Sequence, residues 1–292
     1  MLSPFKERID KEDDDRRLIG KILDGSREDL EKLIYRHQAW IYNIALKMVA
    51  DPSDAEDITQ EILIKIITKL SGYDPGKGAL RTWLYRIVTN HIINMKQRKN
   101  ELHHLSFDDH ARVIERIADN AFHGHADNQV LIEEVKIKCW TGMLLCLDRR
   151  HRLVFILGEI FDVKDTVGSE ILQISPFNYR RMLSRGRNRI YSFMTRKCGL
   201  LDAENPCHCG RKMEGFIKAG FADEDRIVFF NDDLKRIKEV IRLHQNDFNR
   251  LCSPETLQEF REHPFYEAPL AIQQWLKNTF AGESFCSLIT PD

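Results

Sequence analysis

The stretch RTWLYRIVTNHIINMKQRK, from Arg81 to Lys99, combines features that a helix buried in a core does not need. Its apolar residues recur at helical spacing and, with the residue just before it, form one stripe: Leu80, Leu84, Ile87, Val88, Ile92 and Met95. Off this stripe lie aromatic rings, amides and a growing cluster of cations: Trp83, Tyr85, Arg86, Asn90, Asn94, Lys96, Arg98 and Lys99. The stretch therefore predicts an amphipathic helix whose outer face carries aromatic, amide and cationic side chains.

The residues off the stripe have the chemistry that holds unpaired nucleic acid. Aromatic faces stack on unpaired bases, which is worth about 1–3 kcal/mol per base. Amides can hydrogen-bond the base edges that become accessible outside a duplex, and cations attract phosphates. A second interpretation is that Trp83 and Tyr85 anchor the core while the charges form a solvated face. The helix alone does not separate these two interpretations.

Composition bounds the class of protein. The chain has 292 residues, of which 42% are hydrophobic and 30% charged, a size that favours two or three domains. Its formal net charge of -1 means that any nucleic-acid surface comes from local segregation of charge. No apolar run approaches the ~18 residues of a membrane helix, and the polar N-terminus does not resemble a signal peptide. The seven scattered cysteines indicate reduced thiols, so we expect a cytoplasmic protein without a membrane partner.

Helical periodicity dominates the chain and strand-like alternation is rare, which predicts an all-α fold. A lead-in helix is expected over residues 1–28, and a first helical unit over 29–98. Residues 99–134 are polar and weakly periodic, which is typical of a linker with some local helix. A second helical unit is predicted over 135–197, followed by a C-terminal segment over 198–292.

The segment DPSDAED is expected to end one helix of the first unit and to start the next. Ser53 is the predicted N-cap, because its hydroxyl can accept a backbone N–H of the first turn. Asp54, Glu56 and Asp57 would then occupy the first turn, where the positive end of the helix favours carboxylates.

The second unit contains DVKDTVGSEILQISPFNYRRMLSRGRNRI, a pattern of helix, short turn and helix. Ser175 can cap the second helix, and Pro176 suits its first position. That helix is rich in arginine and has no acidic residue between Ser175 and Lys197. A cationic helix set across a shorter partner helix suits a DNA major groove, where arginine makes the commonest specific base contact. The alternative is an ordinary solvated helix.

Together the two units resemble the bacterial RNA polymerase sigma-70 family, and within it the extracytoplasmic-function (ECF) group. DAEDITQE followed by RTWLYRIVTN is similar to region 2 of that family, and LDRRHRLVFILGEIFDVKDTVGSEILQISPFNYRRMLSRGRNRI is similar to region 4. The resemblance covers about residues 15–197. It implies two helical sigma domains, a region 2 bundle and a region 4 helix-turn-helix, joined by a flexible linker and followed by a small, mainly helical extension.

The resemblance implies three binding surfaces. The surface for the clamp helices of the largest subunit of core RNA polymerase would consist of Asp57, Gln60 and Glu61. The surface that captures a flipped base of the −10 promoter element, beside the GYDPGKGALRTW loop, would include Trp83, Arg86 and Asn90, with the tryptophan as scaffold. The residues that meet the −35 element would be Arg180, Arg181, Ser184 and Arg185.

The function implied is that of a promoter-specificity subunit without catalytic chemistry of its own. It would bind core RNA polymerase, recognise the −10 and −35 elements and help to open promoter DNA. An anti-sigma factor is a further candidate partner.

Two departures from the family pattern lie in the second unit. Val167 and Gly168 stand where members usually carry a glutamate and an isoleucine, and glycine costs about 0.5–1 kcal/mol in a helix. Phe177 and Tyr179 bring aromatic bulk to the second helix. These changes leave the resemblance intact but make the preferred −35 sequence unpredictable.

The C-terminal segment carries NPCHCGRKM, in which Cys207 and Cys209 are candidate ligands for zinc or copper, with Cys198 nearby. Structural zinc usually takes cysteine pairs separated by two to four residues, whereas one residue separates this pair and no second pair follows. Redox sensing and a simple structural turn are the alternatives. The segment is also a candidate regulator that folds over the promoter-binding helices or contacts a partner.

Two other classes of protein compete with the sigma interpretation. A helix-turn-helix repressor or activator would bind duplex DNA alone and would have no use for a polymerase surface such as DAEDITQE. A nuclease would need clustered carboxylates for metal ions. Asp54, Glu56 and Asp57 do cluster, but helix capping explains them, and the chain has no P-loop or nucleophile signature.

Overall fold

The computed structural model describes residues 10–102, 106–119, 126–221 and 269–281 of the chain. Over these residues the backbone is helical apart from turns and one isolated bridge between Cys198 and Cys207, which confirms the all-α prediction. The structure divides the chain into two compact units, a different division from the two helical units of the sequence. The first contains residues 10–98, 153–183 and 269–281, and the second contains the remaining described residues.

The helices of the first unit follow one another with short connections. In chain order they are α1 (Asp10–Leu23), α2 (Arg27–Val49), α3 (Pro52–Lys69) and α4 (Leu80–Asn94). Between α3 and α4 lie two 3-10 turns, Leu70–Gly72 and Pro75–Lys77. The later helices of the chain are α5 (Lys99–Leu102), α6 (Phe107–Arg116), α7 (Ala126–Leu145), α8 (Arg149–Phe155, continued by a π-helical turn at Ile156–Ile160), α9 (Asp165–Leu172), α10 (Pro176–Lys197), α11 (Cys209–Lys218) and α12 (Leu270–Ala281).

The core of the first unit lies where α2, α3 and α4 pack together. Each of these helices buries an apolar stripe whose fully covered members include Leu33, Ile41, Ile44, Ile58, Ile62, Leu84, Val88 and Ile92. α1 packs on α2, and α12 packs on α3 with Ile272 and Leu276 fully buried. Burial of such side chains is worth about 1.5–3 kcal/mol each, so this stripe pairing holds the bundle together.

Asp51, rather than Ser53, caps α3. The Asp51 carboxylate accepts the backbone N–H of Asp54 at 2.9 Å, and Pro52 is the first residue of the helix. The Ser53 prediction was wrong because proline fits the first helical position, where no backbone donor is lost, and this moves the cap to the residue before it.

The helix-turn-helix predicted around residues 162–190 is formed by α9 and α10. Gln173 makes the turn between them in a left-handed conformation, with φ 54°. The Ser175 hydroxyl accepts the backbone N–H of Asn178 at 3.2 Å, and Pro176 begins α10, so both capping predictions are confirmed.

Gly168 and Tyr179 form one packing arrangement. The Tyr179 ring is fully buried and lies in a small core with Val154 and Leu183. A Cβ atom at position 168 would lie 2.5 Å from two carbons of that ring. The glycine therefore makes room for the tyrosine, and two residues that the sequence presents as separate departures compensate each other. Phe177, by contrast, is 64% exposed.

Part of the segment interpreted as a linker is packed structure in the second unit. Residues 99–134 contain α5, α6 and the start of α7, and Glu101, His110 and Ile114 are buried. α6 packs on α7 and begins with a capping box at Ser106. Polar composition had suggested a linker because the buried residues here include charged ones.

The charge on Glu101 is compensated by two arginines of α8. Arg149 donates to both carboxylate oxygens, at 2.9 and 2.6 Å, and Arg152 donates from Nη1 at 3.1 Å. Arg152 is itself buried and also donates to the carbonyls of Leu144 and Leu147 at the end of α7. Arg152 thus caps the C-terminal end of α7 and, together with Arg149, neutralises the buried Glu101 carboxylate.

None of the helices in the described ranges combines the length and the apolar character that a membrane crossing demands.

We expect Gly168→Ala to lower the free energy of unfolding by about 1–3 kcal/mol, because the added methyl overlaps the Tyr179 ring. Urea unfolding followed by circular dichroism measures the change. In a Tyr179→Leu background the same substitution should cost less, since the overlapping ring is gone.

Gly20→Ala is the matched control, because this glycine also lies within a helix and a Cβ there would have no neighbour within 4 Å. Alanine should be neutral or slightly stabilising at that position. An equally small effect at both glycines would contradict the packing interpretation.

Candidate nucleic-acid interface

Helix α4 has an inner and an outer face. Leu84, Val88 and Ile92 are fully buried, whereas Asn90 is exposed and Trp83 and Arg86 are half-buried. The outer residues stand three, then four, positions apart, which places them in one row along the helix. The structure therefore brings together the three residues predicted for the −10 element.

Tyr85 belongs to the core. Its ring is 1% exposed and stacks on Trp40, with ring centroids 4.1 Å apart and planes 20° apart. The interpretation of aromatic residues as core anchors is thus correct for Tyr85, while Trp83 keeps part of its ring accessible and packs on Tyr73 at 5.6 Å. Tyr73 also donates from its hydroxyl to the Gly78 carbonyl at 2.9 Å, which closes the GYDPGKG loop, so the Tyr73 ring joins this loop to Trp83 on α4.

A groove of about 1160 Å³ runs along the outer face of α4. Its walls come from the end of α3, the turn that follows, α4 and the residues after it, and Gln173. The lining is mixed: an indole ring, amides and several cations, namely Trp83, Asn90, Asn94, Gln97, Lys65, Lys69, Arg86, Lys96 and Arg98. An aromatic edge beside amides and cations can stack, hydrogen-bond and neutralise an unpaired nucleotide.

Arg86 is held by helix α9. Its Nη2 donates to Glu170 Oε1 at 3.0 Å and its Nε donates to the Glu170 carbonyl at 3.4 Å. These contacts join residues 84 positions apart, and α9 packs along α4 around them. One of the three predicted −10 residues is therefore engaged by the first helix of the helix-turn-helix.

Five ionisable residues form a network at one end of the groove. The Lys65 ammonium donates to His91 Nδ1 at 2.6 Å, and His91 Nε2 lies 3.2 Å from Glu61 Oε2. Arg98 lies 3.2 Å from Glu61 and 3.6 Å from Asp54. Burial lowers the pKa of His91, and the Lys65 charge lowers it further while Glu61 acts in the opposite direction. His91 is therefore neutral at pH 7, with Nδ1 as the acceptor.

The three residues predicted to meet the polymerase lie on α3 and are not equivalent. Asp57 is exposed and Gln60 is half-buried, whereas Glu61 is exposed but engaged by the network at the groove. Sequence reasoning had not picked out Lys65 or His91 as site residues. The available signal was the spacing of Glu61 and Lys65, because residues four positions apart lie on the same side of a helix.

The outer face of α10 carries the predicted −35 residues. Arg180, Arg181, Ser184 and Arg185 are all exposed, one turn apart in two adjacent rows. Arg180 forms an ion pair with Asp165 at the start of α9, and this pair lowers the pKa of the Asp165 carboxyl. The remaining three residues leave a cationic surface next to the exposed Phe177 ring.

The sequence that forms these features is similar to known proteins. A helical bundle with a cationic groove and an arginine-bearing helix-turn-helix defines a class of DNA-binding protein. The model of sigma-70 region 2 matches residues 33–101, which include α3, α4 and the groove lining except Gln173. Among curated proteins, the ECF RNA polymerase sigma factor SigM of Bacillus subtilis is 27% identical over 156 residues, covering 53% of this chain and 89% of the relative.

Two further relatives agree. SigW of Bacillus subtilis is 24% identical over 177 residues, which cover 59% of this chain and 92% of the relative. SigE of Mycolicibacterium smegmatis is 32% identical over 72 residues, 25% of this chain, and the match spans only 27% of that relative. Residues 33–101 thus match sigma-70 region 2, and more than half of the chain is similar to ECF RNA polymerase sigma factors.

We expect His91 to titrate below the ordinary histidine pKa of about 6.5, as measured by NMR of the labelled imidazole. Replacing Lys65 by methionine removes a neighbouring positive charge and should raise the His91 pKa. Replacing Glu61 by glutamine should lower it further, because the carboxylate stabilises the imidazolium.

Opposite shifts of the His91 pKa in these two variants are the diagnostic result, and a downward shift in Lys65→Met would contradict the network.

The lowered pKa of His91 also makes folding stability depend on pH. Because the folded-state pKa is depressed, the stability linked to His91 is present above about pH 6.5 and is lost as the pH falls below that value.

Proposed function

We propose that this chain is a promoter-specificity subunit that binds core RNA polymerase and recognises two elements of promoter DNA. The observation that carries the proposal is the row of Trp83, Arg86 and Asn90 along a cationic groove, inside the residues that match sigma-70 region 2. As in the family, the chemistry of RNA synthesis would belong to the polymerase. The chain itself would be a binding protein located in the cytoplasm, the compartment that contains the promoter DNA.

The groove on α4 would take an unstacked base of the −10 element. Asn90 is exposed on the groove and offers a donor and an acceptor to a base edge. Trp83 is braced by Tyr73, so it can support the pocket wall while its accessible edge contacts the nucleotide. The cations at the rim, Lys65 and Lys69 among them, would neutralise neighbouring phosphates.

The outer face of α10 would enter the major groove of the −35 element. Arg181, Ser184 and Arg185 are exposed in the N-terminal half of the helix, which is the part of a recognition helix that reaches base edges. Arg180 would contribute mainly by holding α10 against α9 through Asp165.

The polymerase surface would lie on α3 around Asp57 and Gln60. Glu61 would link this surface to the groove, because it contacts Arg98 and His91 on the groove side. An anti-sigma protein is a further candidate partner. Such a protein would cover apolar side chains exposed on these helices, for which Ile64 at 43% and Phe177 at 64% exposure are the candidates.

We expect Arg181→Ala combined with Arg185→Ala to abolish −35-dependent run-off transcription while leaving binding to purified core polymerase unchanged. Asp57→Ala should instead weaken binding to core polymerase, because Asp57 lies on the proposed polymerase surface of α3. Native gel shift of core polymerase and run-off assays on the same protein preparations measure the two properties.

Arg196→Ala is the control on the same helix, since Arg196 lies about 16 Å beyond Arg185 along α10. It should retain transcription. Stable promoter binding by the chain alone would instead favour a repressor or activator, and chelator-sensitive cleavage of DNA would favour a nuclease. Failure of the wild-type chain to bind core polymerase would overturn the proposal.

Promoter binding also has a geometric requirement. Elements centred about 25 base pairs apart lie about 85 Å apart along B-DNA. In the first unit, however, α9 is in direct contact with α4 through Arg86 and Glu170, and it is packed on α10 through Tyr179. The α4–α9 contact would therefore open before both elements are engaged, which releases Arg86.

We expect Glu170→Gln to strengthen binding of a single-stranded −10 oligonucleotide to the free chain. Exposed ion pairs contribute about 0.2–1 kcal/mol, which corresponds to a gain of about 1.5- to 5-fold. Fluorescence anisotropy measures the affinity. Asp165→Asn is the matched control on the same helix, because Asp165 pairs with α10 rather than α4, and it should change nothing. An equal gain in both variants would attribute the effect to net charge alone.

A further inference from the structure

An aromatic ring near the start of α10 is exposed to solvent. Phe177 is the second residue of this helix, and 64% of its surface is accessible. Tyr179, only two positions later, is fully buried. The function proposed above assigns arginines and a serine of α10 to the −35 element but gives Phe177 no role toward DNA, so the exposed ring needs an explanation of its own.

The rotation of α10 about its axis determines which of the two rings is exposed. Successive residues of an α-helix are turned by about 100°, so Phe177 and Tyr179 point about 200° apart and cannot share one face. Tyr179 lies in a core with Val154 and Leu183, and its ring carbons lie 2.5 Å from where a Cβ on Gly168 would be. Because α10 cannot turn without removing Tyr179 from this core, Phe177 stays on the outer face.

Phe177 lies in one row with two of the predicted −35 residues. Arg181 and Ser184 follow it at intervals of four and three positions, a spacing that places the three side chains one above the other along the helix. All three are exposed, and the buried residues Tyr179 and Leu183 lie on the opposite side of α10. The ring therefore extends the proposed DNA-facing surface by one apolar group at its N-terminal end.

The charges around the ring favour DNA as its partner. Arg181 and Arg185 are exposed on the same side of α10, and the helix contains no acidic residue from its start to its end. A purely apolar partner would leave these guanidinium groups without a counter-charge, whereas DNA phosphates supply one. In the major groove the C5-methyl of thymine is the apolar group that a base pair presents, between the two phosphate backbones.

We propose that the Phe177 ring contacts the C5-methyl group of one thymine in the −35 element and makes α10 selective for thymine at that base pair. This inference rests on the −35 binding proposed for α10. Phenylalanine is among the side chains that contact this methyl, and the N-terminal residues of a recognition helix are those that reach base edges. Arg181 lies about 6 Å further along α10, so the thymine should lie within about two base pairs of the pair that Arg181 contacts.

The first test uses holoenzyme, assembled from the full-length chain and purified core polymerase, and duplex DNA randomised over both promoter elements. Bound DNA is sequenced for the wild type and for Phe177→Ala. We expect the wild type to enrich thymine at one −35 position, and Phe177→Ala to lose that preference while keeping the others. Tyr191→Ala is the matched control and should keep it, because Tyr191 is a partly exposed ring of α10 about 21 Å beyond Phe177.

A chemical change in the DNA isolates the methyl group. The selected promoter is synthesised with uracil in place of that thymine, which removes only the C5-methyl. Wild-type holoenzyme should bind the uracil DNA about fourfold more weakly, the effect of losing one methyl-sized apolar contact, and Phe177→Ala should bind both DNAs equally. Gel shift at one fixed salt concentration measures the affinities, since phosphate contacts make them depend on salt.

Equal binding of thymine and uracil DNA by the wild type would overturn the inference without any variant. An equal loss in Phe177→Ala on both DNAs would mean that the ring supports binding without reading a base. Unchanged thymine selection in Phe177→Ala would assign the ring to another partner, such as an anti-sigma protein, which the purified holoenzyme does not contain. These three results leave the proposed function intact, whereas holoenzyme that enriches no −35 sequence would overturn both.

Discussion

Burial of one face of α4 is the constraint on which the rest of the site depends. Leu84, Val88 and Ile92 are covered by α2 and α3, and the helix cannot rotate without exposing them to water, at about 1.5–3 kcal/mol each. The opposite row, with Trp83 and Asn90, is therefore directed into the groove. Stacking of Tyr85 on Trp40 secures the same orientation from the side. Burial of the apolar stripe thus determines which side chains α4 presents to the groove.

Helical periodicity was sufficient to predict what depends on local spacing. The all-α fold, the amphipathic α4 and the cap at Ser175 all follow from residues within a few positions of each other. Local signals failed where two candidates compete, as Asp51 and Ser53 do at the start of α3, and where an aromatic residue can face either way, as Tyr85 does. The roles of the exposed residues toward DNA and polymerase stay predictions.

Contacts between residues distant in sequence could not be predicted, because the sequence around one partner contains no pattern that identifies the other. Gly168 has a plain physical reason only once the Tyr179 ring is known to lie against it. The same holds for Glu101, whose burial in a polar stretch is tolerated because Arg149 and Arg152 enclose it. Removing one partner of such a buried pair costs about 3–5 kcal/mol, so a segment with the composition of a linker can still be firmly packed.

The contacts of α9 differ in strength, and this difference suggests how the helix-turn-helix can separate from the groove. Toward α10, α9 is joined by the buried Tyr179 ring, whose truncation would leave a cavity costing about 3–5 kcal/mol. Toward α4, the ionic part of the contact is the half-exposed pair of Arg86 and Glu170, which is worth about 0.2–1 kcal/mol and is screened by salt. Because the weaker ionic contact faces the groove, we infer that α9 leaves α4 while remaining packed on α10. A nucleic-acid phosphate at the proposed site would compete with Glu170 for the Arg86 guanidinium, so binding of DNA and release of α9 would favour each other.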